Sequence, residues 1–387
     1  MDFSPTDEHR AIDESVRRIM ARFPDDYWLA CDREARFPHE FRTAMAEGGW
    51  LGIAMPSEHG GSGLGVLDAA VMMHAVADSP GAMSAASAIH INIFGPHAIT
   101  VFGTPDQCAR WIPPLVAGRE IACFGVTEPD AGLDTTRITT TARRAGDHYV
   151  VDGRKVWTST AKVADKIMLL ARTRPLGEGR PADGLSLFYT DLDRARIEVR
   201  EIPKMGRAAV DSNALFIDGL EVPVTDRIGE EGQGFRYLLH SLNPERVLIA
   251  AEAVGIGRHA LGRAAGYARE RVVFGRPIGQ NQSIQHPLAR CWMELEAAWL
   301  ATLRAGWAYD RGLPSGVEAN TAKYLAGEAA YRACERALMT HGGMGYAREY
   351  HVERLWREVL IPRIAPVSPE MILCYIAERA LGLPRSY

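Results

Sequence analysis

The rhythm of apolar and polar positions changes twice along this chain. Near the start, "DEHRAIDESVRRIMARF" (7–23) repeats its apolar residues every three or four positions, as an amphipathic helix does. "FPHEFRTAMAEGGW" (37–50) has Pro38 near a helix start and glycines at its stop. "EHGGSGLGVLDAAVMMHAV" (58–76) is a glycine loop feeding a further helix. From about 120 to 230 the pattern shifts to short β-rich runs, "IACFGV", "HYVVDG", "KIMLLART", "LSLFYT" and "ALFIDGLEV", parted by Gly, Pro and Asp turns. No helical pattern intervenes, which predicts an antiparallel sheet or barrel rather than βαβ units. Long helical stretches return over 244–271, 282–311, 316–341 and near 368–381, with alanine-rich faces suited to an antiparallel bundle. The expected class is a multidomain α+β fold: an N-terminal helical domain (1–118), a central antiparallel β domain (119–232) and a C-terminal antiparallel helical bundle (233–387).

The first bundle helix raises a chemical question. It reads "SLNPERVLIAAEAVGIG" (241–257), with Asn243 as a good N-cap, Pro244 at the first helical position, and Glu245 and Arg246 set against an apolar run. An acid in a first turn complements the helix dipole, so Glu245 has a structural reading as well as a chemical one.

Composition narrows the classes. With 387 residues the chain is long enough for two or three cooperating domains, and its net charge of −4 without a basic run argues against a nucleic-acid binder. The six cysteines are dispersed without metal-ligand spacing and read as reduced thiols in a cytoplasmic protein, with no metal site expected. The acidic N-terminus reads as neither signal nor transit peptide, and no uninterrupted apolar run is expected to span a bilayer. The glycine loop at 60–65 lacks G-x-G-x-x-G spacing and a preceding strand, so a Rossmann reading is weak.

Four segments in order carry a further signal: "IACFGVTEPDAGLD" (121–134), "GRKVWTSTA" (153–161), "RERVVFGRPIGQNQSIQ" (269–285) and "THGGMGYAREYHVERLWRE" (340–358). Together they resemble the acyl-CoA dehydrogenase family of flavoenzymes across essentially the whole chain. The resemblance implies FAD, with Thr127 hydrogen-bonding the flavin ring, Trp157 covering one side and Ser159 donating toward N5, where hydride arrives. Arg271, Phe274 and Gln282 resemble residues that reach the diphosphate and adenine of a neighbouring subunit's FAD. An arginine fork suits phosphate oxygens. Gly342 and Gly343 would let backbone approach the cofactor, with a helix stop as their other reading, and Ser368 is placed on the cofactor side. The pattern is broken at Leu133, where a serine near the cofactor is usual, at Met339, which replaces a polar opener of the glycine motif, and at Val273, which replaces a hydroxyl residue.

The family's reaction removes an α-proton from an acyl-CoA thioester and therefore needs a carboxylate in a water-poor pocket. Most members carry that glutamate in a loop before the last helix. Here the loop reads "LIPRIAPVSPEM", and Pro366 holds the place. A minority, including isovaleryl and long-chain enzymes, supplies it from the first bundle helix, which assigns the base to Glu245, with Arg246 and Asn243 toward the substrate. Proline also has no N–H to offer the thioester oxygen. The resemblance further implies an electron-transfer flavoprotein as acceptor and a homotetramer built as a dimer of dimers. Two other readings stay open: a flavin monooxygenase or oxidase on the same fold, and a non-catalytic partner subunit of a mixed oligomer.

Overall fold

The computed structural model describes residues 4–177 and 179–386. Seven helices come first: α1 (Asp7–Met20), α2 (Asp25–Glu34), α3 (His39–Glu47), α4 (Val66–Ala77), α5 (Ala82–Phe94), α6 (His97–Phe102) and α7 (Pro105–Val116). The strands β1 (Ala122–Gly125), β2 (Thr141–Ala145), β3 (His148–Ser159), β4 (Lys166–Arg172), β5 (Leu185–Asp191), β6 (Ile197–Glu201), β7 (Ser212–Pro223) and β8 (Arg227–Ile228) follow. The last part holds α8 (Gly234–Glu270), a hairpin of β9 (Val272–Val273) and β10 (Arg276–Pro277), then α9 (Gln282–Asp310), α10 (Gly316–His341), α11 (Val352–Glu358), α12 (Ile361–Ile364) and α13 (Pro369–Arg379). The expected order of helices, sheet and helices is present.

Two details differ from the sequence reading. The sheet runs β6-β7-β3-β2-β4-β5-β8 and is mostly antiparallel, but β1 lies parallel to β4 and β2 touches β4 in parallel at Thr141 and Arg172. The sheet is therefore mixed: β1 enters from the helical layer and must run beside β4 in the same direction. The second concerns α8, which begins at Gly234, so Asn243 is not an N-cap and Pro244 lies inside the helix. Tertiary packing extends it backwards. Tyr237 stacks on Phe102 at 4.3 Å, and a Cβ on Gly234 would lie 2.4 Å from the Leu187 nitrogen, so the first turn sits directly on β5. That packing offsets the ladder bond that Pro244 cannot donate.

Small residues bring the bundle helices close. Gly257 of α8 faces Ala330 of α10, where an added Cβ would approach the Ala330 Cα to 3.1 Å, and Gly255 faces the His74 carbonyl of α4. One continuous core thus joins the N-terminal helices to the bundle through α4, α5 and α8. Two segments are long and apolar enough by composition to cross a membrane, Ala82–Phe102 and Val352–Arg379, the first against expectation because it carries no Asp, Glu, Lys or Arg. Ala82–Phe102 is mostly buried inside the fold and breaks between α5 and α6, while Val352–Arg379 is divided into α11, α12 and α13.

Candidate active site

The sheet brings two of the quoted segments together. The Val156 N–H donates to the Thr127 carbonyl at 2.9 Å, so the "VTEPDAG" turn is tied to the strand that carries Trp157. The pairing of β3 with β7 slips between Lys155 and Thr158, and within this bulge Trp157 adopts φ +61° with its side chain 58% exposed. A bulge re-aims a side chain, and a tryptophan held outward in a left-handed conformation is strained. Ser159 ends the same strand. Its Oγ accepts from Arg207 Nη2 at 3.4 Å, while Arg207 Nη1 donates to Ser87 Oγ on α5 at 2.9 Å. Arg207 therefore bridges the sheet to the helices.

Beneath the turn, Glu128 accepts from Lys155 Nζ (2.9 Å), Thr140 N (2.9 Å), Thr139 N (2.7 Å) and Thr139 Oγ1 (2.9 Å). Burial opposes its charge, but Lys155 and these donors hold the carboxyl down at about 2. This pair fastens the 126–140 segment and leaves the Trp157 face open.

Glu245 lies in the twelfth position of α8, not in a first turn, so the helix dipole does not account for it. Part of the residue's surface stays open, but it sits deep among protein atoms, and loss of water pushes its carboxyl up to about 7. The His90 and Arg246 cations oppose that rise and Glu252 adds to it. Among the described residues no group hydrogen-bonds this carboxylate. Arg246 is held by Asn243, with Nη1 donating to Asn243 Oδ1 at 3.0 Å, and its Nε is buried without a partner among the described residues. The loop carrying Pro366 is pinned by buried Lys323, whose Nζ donates to the carbonyls of Val367 (2.6 Å) and Arg363 (3.4 Å). Ser368 caps α13, accepting from Met371 N at 3.3 Å.

The remaining expected cofactor residues lie elsewhere. Arg271 follows the end of α8, 26 residues beyond Glu245 and so roughly 40 Å along the helix. Phe274 stands at the tip of the β9–β10 hairpin, 101% exposed with φ +52°, and Gln282 opens α9 on the surface. Tyr267, one turn before Arg271, stacks on His341 at 4.3 Å, which brings the glycine motif to the same end. A Cβ on Gly342 or Gly343 would meet nothing within 4 Å, whereas one on Gly345 would strike the Leu338 carbonyl. Packing inside the chain explains only the last of these glycines, while Gly342, at φ +58° where α10 ends, also serves as the expected helix stop. Leu133, Met339 and Val273 are all exposed.

An outward aromatic face beside hydroxyls suits a flat ring system, and exposed arginine beside bare glycine backbone suits a diphosphate, so these residues fit FAD. Family comparison agrees across the chain. The acyl-CoA dehydrogenase N-terminal, middle and C-terminal domains match residues 6–119, 123–220 and 232–381.

The chain belongs to the acyl-CoA dehydrogenase family.

It is an oxidoreductase with FAD as cofactor. Acyl-CoA dehydrogenase FadE12 of Mycobacterium tuberculosis is 36% identical over 393 aligned positions, covering 100% of this chain and 99% of that one. Benzylmalonyl-CoA dehydrogenase of Aromatoleum aromaticum is 36% identical, covering 98% and 99%. A solved glutaryl-coenzyme A dehydrogenase–glutaryl-CoA complex superposes with a TM-score of 0.94 at 31% identity, covering 100% and 98%.

Two charged residues near Glu245 escaped the sequence reading of this acyl-CoA dehydrogenase. His90 of α5 and Glu252 of α8 meet at 2.6 Å. The available signal was Glu252 itself, a lone carboxylate in "VLIAAEAVGIG", because a buried acid requires a partner. Arg207, in a loop without a motif, offered no such signal.

Proposed function

We propose that this enzyme converts an acyl-CoA thioester to the 2-enoyl-CoA, with Glu245 abstracting the α-proton. The observation that carries the reading is a carboxylate raised to about 7, free of hydrogen bonds among the described residues, on the bundle helix, while proline occupies the alternative position. Such a group is a better base than an exposed glutamate and is still about half ionised at neutrality. Arg246, fixed by Asn243, keeps a cation beside the base and limits how far burial can raise it. Thr127, Trp157 and Ser159 would hold the flavin ring, with Arg207 orienting the Ser159 hydroxyl from behind. FAD supplies the hydride acceptor for the β-hydrogen.

The distance from the base to the distal cofactor residues supports an assembly. Arg271 stands roughly 40 Å along α8 from Glu245, farther than one extended dinucleotide reaches from a flavin beside the base, which supports Arg271, Phe274, Gln282, Gly342 and Gly343 serving a neighbouring subunit's FAD. The exposed Trp292, Met293 and Leu300 of α9 supply apolar surface for a homotetramer. The reading includes a cytoplasmic enzyme of lipid metabolism that passes its electrons to an electron-transfer flavoprotein. Anaerobic mixing with a panel of straight, branched and ring-bearing acyl-CoAs tests the reaction directly: bleaching of the yellow flavin with release of enoyl-CoA is expected. A flavin that stays oxidised with every acyl-CoA would refute it.

A further inference from the structure

The cluster around Glu245 holds more charge than a lone base requires. His90 and Glu252 are 8% and 0% exposed, and their 2.6 Å contact uses one atom of each. The other two, His90 Nε2 and Glu252 Oε2, are buried without a partner among the described residues. A half-satisfied ionic pair in an interior costs stability, so its presence asks for a use. Glu245 and Glu252 stand seven residues apart on one face of α8, two turns along the axis, and α5 lays His90 against that face. The position of α5 is itself fixed: Glu358 of α11 accepts from Ser84 N and Oγ at 3.0 and 2.7 Å and pairs with buried Arg354.

We infer that His90 and Glu252 are positioning residues that act as one unit to set the proton affinity of Glu245. The inference rests on Glu245 being the base. Neither partner suffices alone. With Glu252 alone, Glu245 would share a helix face with a second carboxylate and would hold its proton more tightly. With His90 alone, burial would strip the imidazole of its charge. Paired, they place a cation where Glu245 needs one. Burial disfavours charge on His90, but Glu252, with Glu245 behind it, more than offsets this and raises it. The other charges facing the cluster are Arg246 on α8, Arg207 from the β6–β7 connection, and Glu358 and Asp211 beyond Arg207.

Because Glu245 works ionised, the acid limb of the reductive half-reaction lies at its pKa. His90→Asn should move that limb upward by about 1 pH unit, and adding Glu252→Gln should bring it back toward the parent. A folded, flavin-loaded His90→Asn enzyme with an unmoved limb would overturn the inference. A reciprocal measurement needs neither turnover nor a His90 variant. In the holoenzyme with carbon-13-labelled histidine, Glu245→Gln should lower the His90 titration midpoint by a similar amount, since coupling is mutual. An unchanged midpoint would also overturn it. The two ideas fail separately: a shifted His90 midpoint with undiminished flavin reduction in Glu245→Gln would keep the coupling and remove Glu245 as base.

Discussion

One buried ion pair of this molecule lies in the sheet and another in the helical layer, and the two are finished differently. In the sheet, Glu128 meets Lys155 with four donors on its two oxygens, and Lys155 donates also to the Val126 carbonyl at 3.1 Å. In the helical layer, His90 and Glu252 share one contact and, among the described residues, leave an atom each without a partner beside a third carboxylate. The saturated pair fastens a loop, and nothing remains on it for chemistry. The unsaturated pair sits where proton affinity must be adjustable. Burial is common to both; completion of the hydrogen-bond set separates structural charge from chemical charge.

The strongest way to sharpen that contrast is Glu245→Gln. The amide is nearly isosteric, so the protein should stay folded and yellow while flavin reduction by acyl-CoA falls roughly 10²–10⁴-fold. Stopped-flow bleaching decides it, and comparable rates in variant and parent would remove Glu245 as base. Adding Pro366→Glu to this variant should restore some reduction if both positions face one substrate carbon. A flavin-loaded double variant no faster than Glu245→Gln would count against that geometry. Lys155→Met tests the other side. It strands a buried carboxylate and should cost about 3–5 kcal/mol of stability, read by denaturant unfolding, while the pH profile of the surviving enzyme stays where it was. A moved profile would erase the distinction between the two pairs.

Acid separates them further. Glu128 is held at about 2, below its ordinary 4.5, so it contributes stability above the unfolded value that is lost as pH falls from there through about 2. Glu245 is raised to about 7, so activity should fade on acidification well before the sheet weakens. Activity and unfolding followed on one acid titration should show two separate transitions. The smallest expected effect lies outside both pairs. Arg271→Ala should weaken FAD binding and subunit association together, measured by apoprotein titration and sedimentation. Unchanged affinity would leave Arg271 an ordinary surface residue.

Much of this molecule was legible without coordinates, because its main signals are local. Helical and strand periodicity located the bundle helices and the β-rich middle, and the segments around Thr127, Trp157, Arg271 and Gly342 announced a flavoenzyme by residue type and order. The absence of a carboxylate at Pro366 redirected attention to Glu245 by sequence alone. What local pattern could not reach was any property set by contacts between distant segments. The start of α8 is one: Asn243 and Pro244 carry every mark of a helix beginning, yet packing on β5 and α6 carries the helix back to Gly234. That displacement also removes the helix dipole as an explanation of Glu245. The parallel entry of β1 beside β4 is another, since strand direction depends on where the chain comes from. The deepest case is the charge cluster, where Glu252 is 162 residues from His90. Residue types specify which groups can ionise, but only the folded arrangement decides which buried groups share a charge and which are left without a partner.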